Sequence, residues 1–470
     1  MKPHKLTYYI LAAGIFILIF STLAGASIVY KYNEINGPNG TNKVSVNLLD
    51  NADLQKNSGF TLDDIKHLQQ FSYKNVDMAY AHEDIDTAAY EKNQTRANIL
   101  GISDKYSMFH RVDLLSGSFI TPGNKDEMVA VVDEDLANEL FNNKNVIGMY
   151  IELYGQKFRI IGVMETDESI IHTLTGNGYG RIYIPAEQML EYDDTSRITS
   201  LEVKASDKGT TGRNIGSMEE ALASIDKNAS DYKILDYNIE LMLLNEKAQI
   251  NTFICSAAII IILLLSIIRR ITDAYTIINS SLKENYFRNV LKPHYRKLVL
   301  ATLEAIAASA LIYLVWETVR FDAYIPAEYI PDDPTDLGFF TDLFKSLMQK
   351  RVQSTGYIPS YPEMKANVLD IMQNWNLYIG MLAGLPLYYL GLKLLEPEKE
   401  NTVKRLLYCC VFILSSMALG LLILSMFSMP VMVDTKRILT IFAFVFLTVI
   451  GIEQISQKKH NKSFVELKKE

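Results

Sequence analysis

The sequence predicts a membrane α-helical protein of about six transmembrane helices, with a large extracytoplasmic α+β domain inserted between the first and second spans. Three observations predict it. Apolar residues gather in six blocks, each able to cross a hydrocarbon core of roughly 30 Å. Between the first two blocks lies a polar, acidic stretch with mixed strand and helix patterning, residues 31–236. The polar segment after the second block, 269–297, carries Arg269, Arg270, Lys283, Arg288, Lys292, Arg296 and Lys297 against only Asp273 and Glu284. Such an excess of basic residues marks a cytoplasmic loop and puts the preceding domain outside.

Hydrophobic residues make up 49% of the chain, and their concentration in blocks is what sets the class. The net charge of −8 says less than its distribution along the chain. Cys255, Cys409 and Cys410 all lie in apolar runs, so they read as small hydrophobes and offer no disulfide framework outside the membrane.

The first block, Leu6–Tyr30 within residues 1–30, is too long for a typical signal-peptide core and reads as a retained anchor, although Ala24-Gly25-Ala26 keeps cleavage open. Asn36–Asn42 reads as a turn or linker, and Thr61 as the cap of a helix through Gln70 with Asp63 and Asp64 in its first turn. Strand patterning recurs at Val76–Tyr80, Ala97–Ile102, Arg181–Ile184 and Ser200–Val203, followed by a helix from Met218 to about Lys227. The mixture predicts an α+β domain with two lobes.

Its best-defined part is Met108–Met164. Met128–Val132 is a valine-rich strand, Asp133 the N-cap of a helix Glu134–Phe141, and Met149–Leu153 and Lys157–Met164 flank a hairpin turn at Tyr154-Gly155-Gln156. Residues 237–268 then combine a helix-forming stalk with the second span. As one helix they would measure about 48 Å, longer than the hydrocarbon is thick. After the basic segment 269–297 come the third span, 298–316, an acidic loop with several prolines, 317–376, and the fourth span, 377–395. Residues 406–452 hold the fifth and sixth spans, and 453–470 form a basic tail; both termini are then cytoplasmic. In the fourth span, Gly380 and Gly384 let two helices approach closely.

Nucleotide and hydrolase chemistry leave no trace. No G-x-x-x-x-G-K-[ST], H-E-x-x-H or G-x-S-x-G occurs. Gly176-Asn177-Gly178-Tyr179-Gly180 reads as a flexible hairpin loop, and Asp133-Glu134-Asp135 and Asp193-Asp194 as a cap and a solvated turn. Glu304, a few turns into the third span, has two readings: a polar contact linking helices, or an interfacial residue paired with Arg296 or Lys297.

Leu115-Ser116-Gly117-Ser118-Phe119, the valine strand, Leu136-Ala137-Asn138-Glu139-Leu140-Phe141, Ile147-Gly148 and Phe158-Arg159-Ile160-Ile161-Gly162-Val163 occur in one order. This series resembles the extracytoplasmic core domain of the MacB/FtsX class of ABC transporter permeases, from about Thr61 to Val203. The resemblance implies a permease subunit that binds no cofactor itself. ATP and magnesium would sit on a separate ABC ATP-binding subunit, and the permease would form a homodimer or a heterodimer with a second permease. It also implies that Ser280–Leu291 includes the short helix that seats in that subunit, with Leu282, Lys283, Tyr286, Phe287, Arg288 and Leu291 as the coupling residues. Three features depart from the family: the Gly-containing turn before the third span is missing, the loop 317–376 is long, and a fifth and sixth span are added.

The function expected is thus coupling of ATP hydrolysis in a partner to movement of the external domain, in a bacterial cytoplasmic membrane, for export or for lipoprotein or peptide handling. Contact with membrane lipid follows; an extracytoplasmic protein partner is open, and nothing implies nucleic acid. The alternative is a membrane-anchored signalling or scaffold protein that recruits or activates an envelope partner without transport.

Overall fold

The structure, a computed structural model, describes the chain apart from residues 1–2, 50–57, 193–196, 206–212, 283–286, 321–323, 326–328, 332, 354–356, 396–401 and 467–470; side chains are described except also at 3–5, 280–294, 350–353 and 453–466. It divides into two compact units. One comprises Tyr30–Leu244 and Ala323–Ile371, the other Met1–Val29, Asn245–Asp322 and Met372–Glu470.

The first unit is built on a ten-stranded sheet, entered from the end of helix α1 (Pro3–Glu34). Its strands are β1 (Lys43–Leu48), β2 (Met78–Tyr90), β3 (Asn93–Ile102), β4 (Leu114–Gly117), β5 (Val129–Asp133), β6 (Tyr150–Leu153), β7 (Gln156–Met164), β8 (Gly180–Pro185), β9 (Ser200–Lys204) and β10 (Tyr232–Asp236). They run in the order β10-β1-β9-β2-β3-β8-β5-β7-β4, with β6 paired to both β2 and β7. The pairs β3–β8 and β5–β7 are parallel.

Side chains alternate across each strand, so a strand buried on both sides must be apolar at every position. β5 shows it. Ala130 and Val132 join a core with Leu136, Leu140 and Phe158, while Val129 and Val131 join another with Leu100, Ile102 and Tyr183. A third cluster gathers Val44, Val46, Leu201, Val203, Phe60, Met218 and Leu222 around β1 and β9. The expected two lobes are therefore separate hydrophobic clusters on one continuous sheet.

Local signals act where the sequence placed them. Thr61 and Asp64 form a capping box on α2 (Leu62–His67), which continues as a π turn to Ser72. The carboxylate of Asp133 accepts the Leu136 N–H at 2.8 Å, starting α3 (Glu134–Phe141). The β6–β7 turn takes positive φ at Tyr154 as well as Gly155, the geometry of a type I′ hairpin. Gly117 and Gly162, from two different fragments of the family resemblance, are paired partners of β4 and β7; a Cβ on Gly117 would lie 2.2 Å from the Ile161 carbonyl oxygen. One expectation is corrected: residues 176–179 are no hairpin loop. They connect α4 (Ile170–Thr175) to β8, and Asn177 and Asn98 exchange amide hydrogen bonds at 3.0 Å. Helix α5 (Arg213–Ala223) precedes β10.

The second unit is helical. Among the described residues, six helices are long and apolar enough to cross a membrane. α6 (Tyr237–Leu282) is unbroken for 46 residues, a length of about 69 Å. α7 (Phe287–Val319) follows; α8 (Leu337–Gln353) and α9 (Tyr361–Ile379) as far as Ile371 belong to the first unit, and α9 runs on into the fourth span. A π turn at Gly380–Gly384 joins α9 to α10 (Leu385–Leu395), and α11 (Thr402–Met426) and α12 (Thr435–Glu466) complete the chain.

Glycines bring the first and fourth spans together. A Cβ on Gly14 would meet the Tyr388 backbone nitrogen at 2.4 Å, and one on Gly391 the Leu11 Cα at 2.7 Å. The π turn places Gly380 against Asn251 of α6, whose amide donates to Ser21 Oγ at 3.0 Å; Ser21 Oγ in turn donates to the Asn376 carbonyl.

Candidate functional site

The predicted coupling residues fall at the edge of what is described. Leu282 ends α6, and Phe287, Arg288 and Leu291 lie in α7. Lys283 and Tyr286 lie outside the described residues, as do the side chains of all six and the pair Asp193-Asp194. Glu304 does find a partner, though neither Arg296 nor Lys297. Its carboxylate meets the Arg270 guanidinium of α6 at 2.6 Å, with both side chains about half exposed.

The densest polar constellation joins the long loop to the sheet, and no local pattern announced it. Pro362 and Glu363 suit the first turn of α9, where a missing N–H costs nothing and a negative charge faces the positive end of the helix dipole. Glu363 is only 1% exposed. Its carboxylate accepts from Asn47 Nδ2 of β1 at 3.0 Å, from Lys233 Nζ of β10 at 2.6 Å and from the Tyr357 hydroxyl. Lys233 also sits over the Tyr357 ring at 5.2 Å.

Two residues before Glu363, Tyr361 has two cations against its ring, the Arg181 guanidinium of β8 at 3.4 Å from the ring centroid and Lys365 Nζ at 4.7 Å. Its hydroxyl is 3.2 Å from His172 Nδ1 of α4, and its backbone N–H is bonded by Glu83 of β2. Lys365 pairs with Asp167 at 3.3 Å. Segment 357–365 thus clasps strands β1, β2, β8 and β10. Beneath it, a cavity of about 320 Å³ is lined by polar groups such as Asn47, Glu83 and Asn98 together with the apolar Ile85, Ile358 and Met364.

Burial shapes the ionisation of these groups. It raises Glu83 above the usual carboxylate range and lowers His172, which Arg181 lowers further. Asp167 goes the other way: burial alone would raise it, but Lys365 and the hydrogen bonds of Ser169 hold it well below that range. Asp133 is raised by burial, against hydrogen bonds from the Leu136 and Arg181 N–H groups. The N-cap read from the sequence therefore also holds β8, the strand that carries Arg181.

A second buried set stands in the same unit. Lys43 of β1, fully buried, donates to Glu202 of β9 at 2.9 Å and to the Phe109 carbonyl at 2.9 Å, and His110 Nε2 meets the other Glu202 oxygen at 2.6 Å. Burial would raise Glu202, but His110 and Lys43 bring it down to about 2; burial lowers His110. Among the described residues no three His, Cys, Asp or Glu side chains cluster as a metal site. These charges hold strands and a loop segment together, which suits a mechanical part.

The profile of the MacB-like periplasmic core domain matches residues 6–221, so segment 357–365 lies outside the matched region. An uncharacterized ABC transporter permease of Bacillus subtilis, YknZ, is 26% identical over 207 residues, which cover 42% of this chain and 51% of its own. A macrolide export ATP-binding/permease protein, MacB of Hyphomonas neptunium, is 26% identical over 164 residues, 30% of this chain and 25% of its own. The chain spans about half of the first relative and a quarter of the second. Among solved structures, the periplasmic region of MacB from Actinobacillus actinomycetemcomitans aligns with a TM-score of 0.36 and 23% identity, over 45% of this chain and 94% of that one.

Proposed function

We propose that this chain, whose residues 6–221 match the MacB-like periplasmic core domain, is a permease of the MacB/FtsX class and the membrane subunit of an ABC-type complex that transmits force to its α+β domain. ATP, with magnesium, is hydrolysed on a separate ATP-binding subunit that seats against Ser280–Leu291. The subunit works as a dimer in a bacterial cytoplasmic membrane, with both termini inside and the domain outside.

The continuity of α6 carries this reading. Strand β10 ends at Asp236 and α6 begins at the next residue, with no flexible linker between them, and the helix then runs unbroken to Leu282 at the coupling segment. A helix of about 69 Å is stiff enough to carry displacement from one end to the other, which a Gly/Ser linker is not. Arg270 of α6, paired with Glu304 of α7, gives the third span a share in that displacement. The clasp adds a second attachment, because the segment gripping β1, β2, β8 and β10 begins the helix that leads into the fourth span. The reaction coordinate is therefore movement of a folded domain, with expulsion or presentation of an external cargo as its output.

The test is co-purification with an ABC ATP-binding protein co-expressed with this chain. The intact chain is expected to bring it down and a chain lacking Ser280–Leu291 to lose it. Equal recovery by both would end the coupling assignment.

A further inference from the structure

Helix α8 exposes an apolar arc that no contact among the described residues covers. Leu337 is 81% exposed, Phe344 is 59% exposed, and Phe340, Leu347 and Met348 are exposed with them. At about 100° per residue these five share one face, while Thr341, Asp342, Lys345 and Gln349 take the other. A soluble helix buries such a face against its own core; this one turns it outward.

We propose that α8 lies flat in the membrane–water interface, with this arc sunk among lipid headgroups and the first acyl carbons. The tether argues for lipid over a protein surface. The chain leaves α7 at Val319 and enters the fourth span through α9, so α8 is confined between two membrane crossings. The stretch leading to it also exposes Ile325, Tyr329 and Ile330. Trp316 near the end of α7, and Trp375 and Tyr378 in α9, are exposed aromatics of the kind that settle at headgroup level, and they bracket the loop. Lys345, Lys350 and Arg351 against Asp342 leave the helix net positive, which favours anionic headgroups. An arc of aromatic and aliphatic side chains on a helix of net positive charge is the composition of a helix that lies on a membrane.

The experiment uses the full chain with Cys255, Cys409 and Cys410 changed to Ala. A bimane probe is attached at Phe344→Cys on the arc or at Lys345→Cys on the polar face, and the protein is reconstituted in nanodiscs of phosphatidylethanolamine and phosphatidylglycerol. Nitroxide lipids labelled near the headgroup should quench the arc probe about two-fold more than the polar-face probe. Aqueous iodide should give the reverse order. Equal lipid quenching at the two positions would overturn the proposal. So would an arc probe shielded from iodide yet untouched by nitroxide lipid, which would mean a protein surface or a second copy covers it. Leu347→Cys repeats the measurement on the same arc if Phe344→Cys fails to elute as folded protein.

Discussion

Arg181 of β8 lays its guanidinium over the ring of Tyr361 at 3.4 Å, joining two residues that have two apolar spans between them in sequence. The contact binds the family's core domain to a loop outside the matched region. A planar cation on an aromatic face is worth about 0.5–1 kcal/mol exposed and about 2 kcal/mol when desolvated. Here it works beside the Glu363 hydrogen bonds and the Lys365–Asp167 pair.

The clasp should therefore yield in steps. Tyr361→Phe keeps the ring over Arg181 and loses the hydroxyl contacts with His172 and Thr175, so its effect should be the smallest of the three. Tyr361→Ala should cost about 1–2 kcal/mol, and Glu363→Ala about 1–3 kcal/mol, because it leaves Asn47 and Lys233 without their acceptor. Hydrogen exchange of residues 357–365 in the full chain should rise in that order, with β5 and β7 unchanged. Uniform exchange across the three variants would show that the segment is held by something else.

The Lys43–Glu202 pair sets the acid limit of the domain. Glu202 is brought from 4.5 to about 2 in the folded state, so its stabilisation is complete above pH 4.5 and is lost as the pH falls toward 2. His110 is lowered from 6.5 by burial, so the unfolded chain takes up its proton first and stability begins to fall below pH 6.5. Exchange protection of β1 and β9, after correction for intrinsic rates, should decline in two stages on acidification from pH 7. His110→Gln should remove the first stage. Lys43→Met alone should cost about 3–5 kcal/mol by leaving a buried carboxylate unpaired, and Lys43→Met with Glu202→Leu should recover most of that loss.

In the membrane unit, Gly14→Ala forces a methyl to 2.4 Å from the Tyr388 backbone, which cannot retreat, and should cost about 1–3 kcal/mol. Gly380→Ala meets the Asn251 side-chain nitrogen at 2.1 Å and should be milder, since that group can swing aside. Gly451→Ala meets nothing within 4 Å and should be neutral. Thermal aggregation in detergent ranks the three.

Part of the fold was legible because its causes are local. Valine alternation made β5, Asp133 capped α3, and the Tyr154-Gly155 turn set the β6–β7 hairpin. β1 was not legible. Lys43-Val-Ser-Val-Asn-Leu reads as half-polar, yet all six residues are buried, because β9 and β10 flank the strand and Glu202 neutralises Lys43. β2 was read as ending at Tyr80 but continues to Tyr90, since its polar half pairs with β3 without needing an apolar face.

The sequence by itself determined the apolar helices and the strand-and-helix core at Met128–Met164, and it carried the resemblance to the MacB-like core domain, since hydropathy and capping act over a few residues at a time. Only the tertiary structure decided the clasp and the buried Lys43–Glu202–His110 set. In the string, Tyr361, Glu363, Arg181 and Asn47 look like ordinary solvated polar residues; the two tyrosines and two prolines of 357–362 were the one irregularity that marked the loop. A charge can be buried only where a distant partner compensates it, and that partner is supplied by strand order and register, which no local stretch contains.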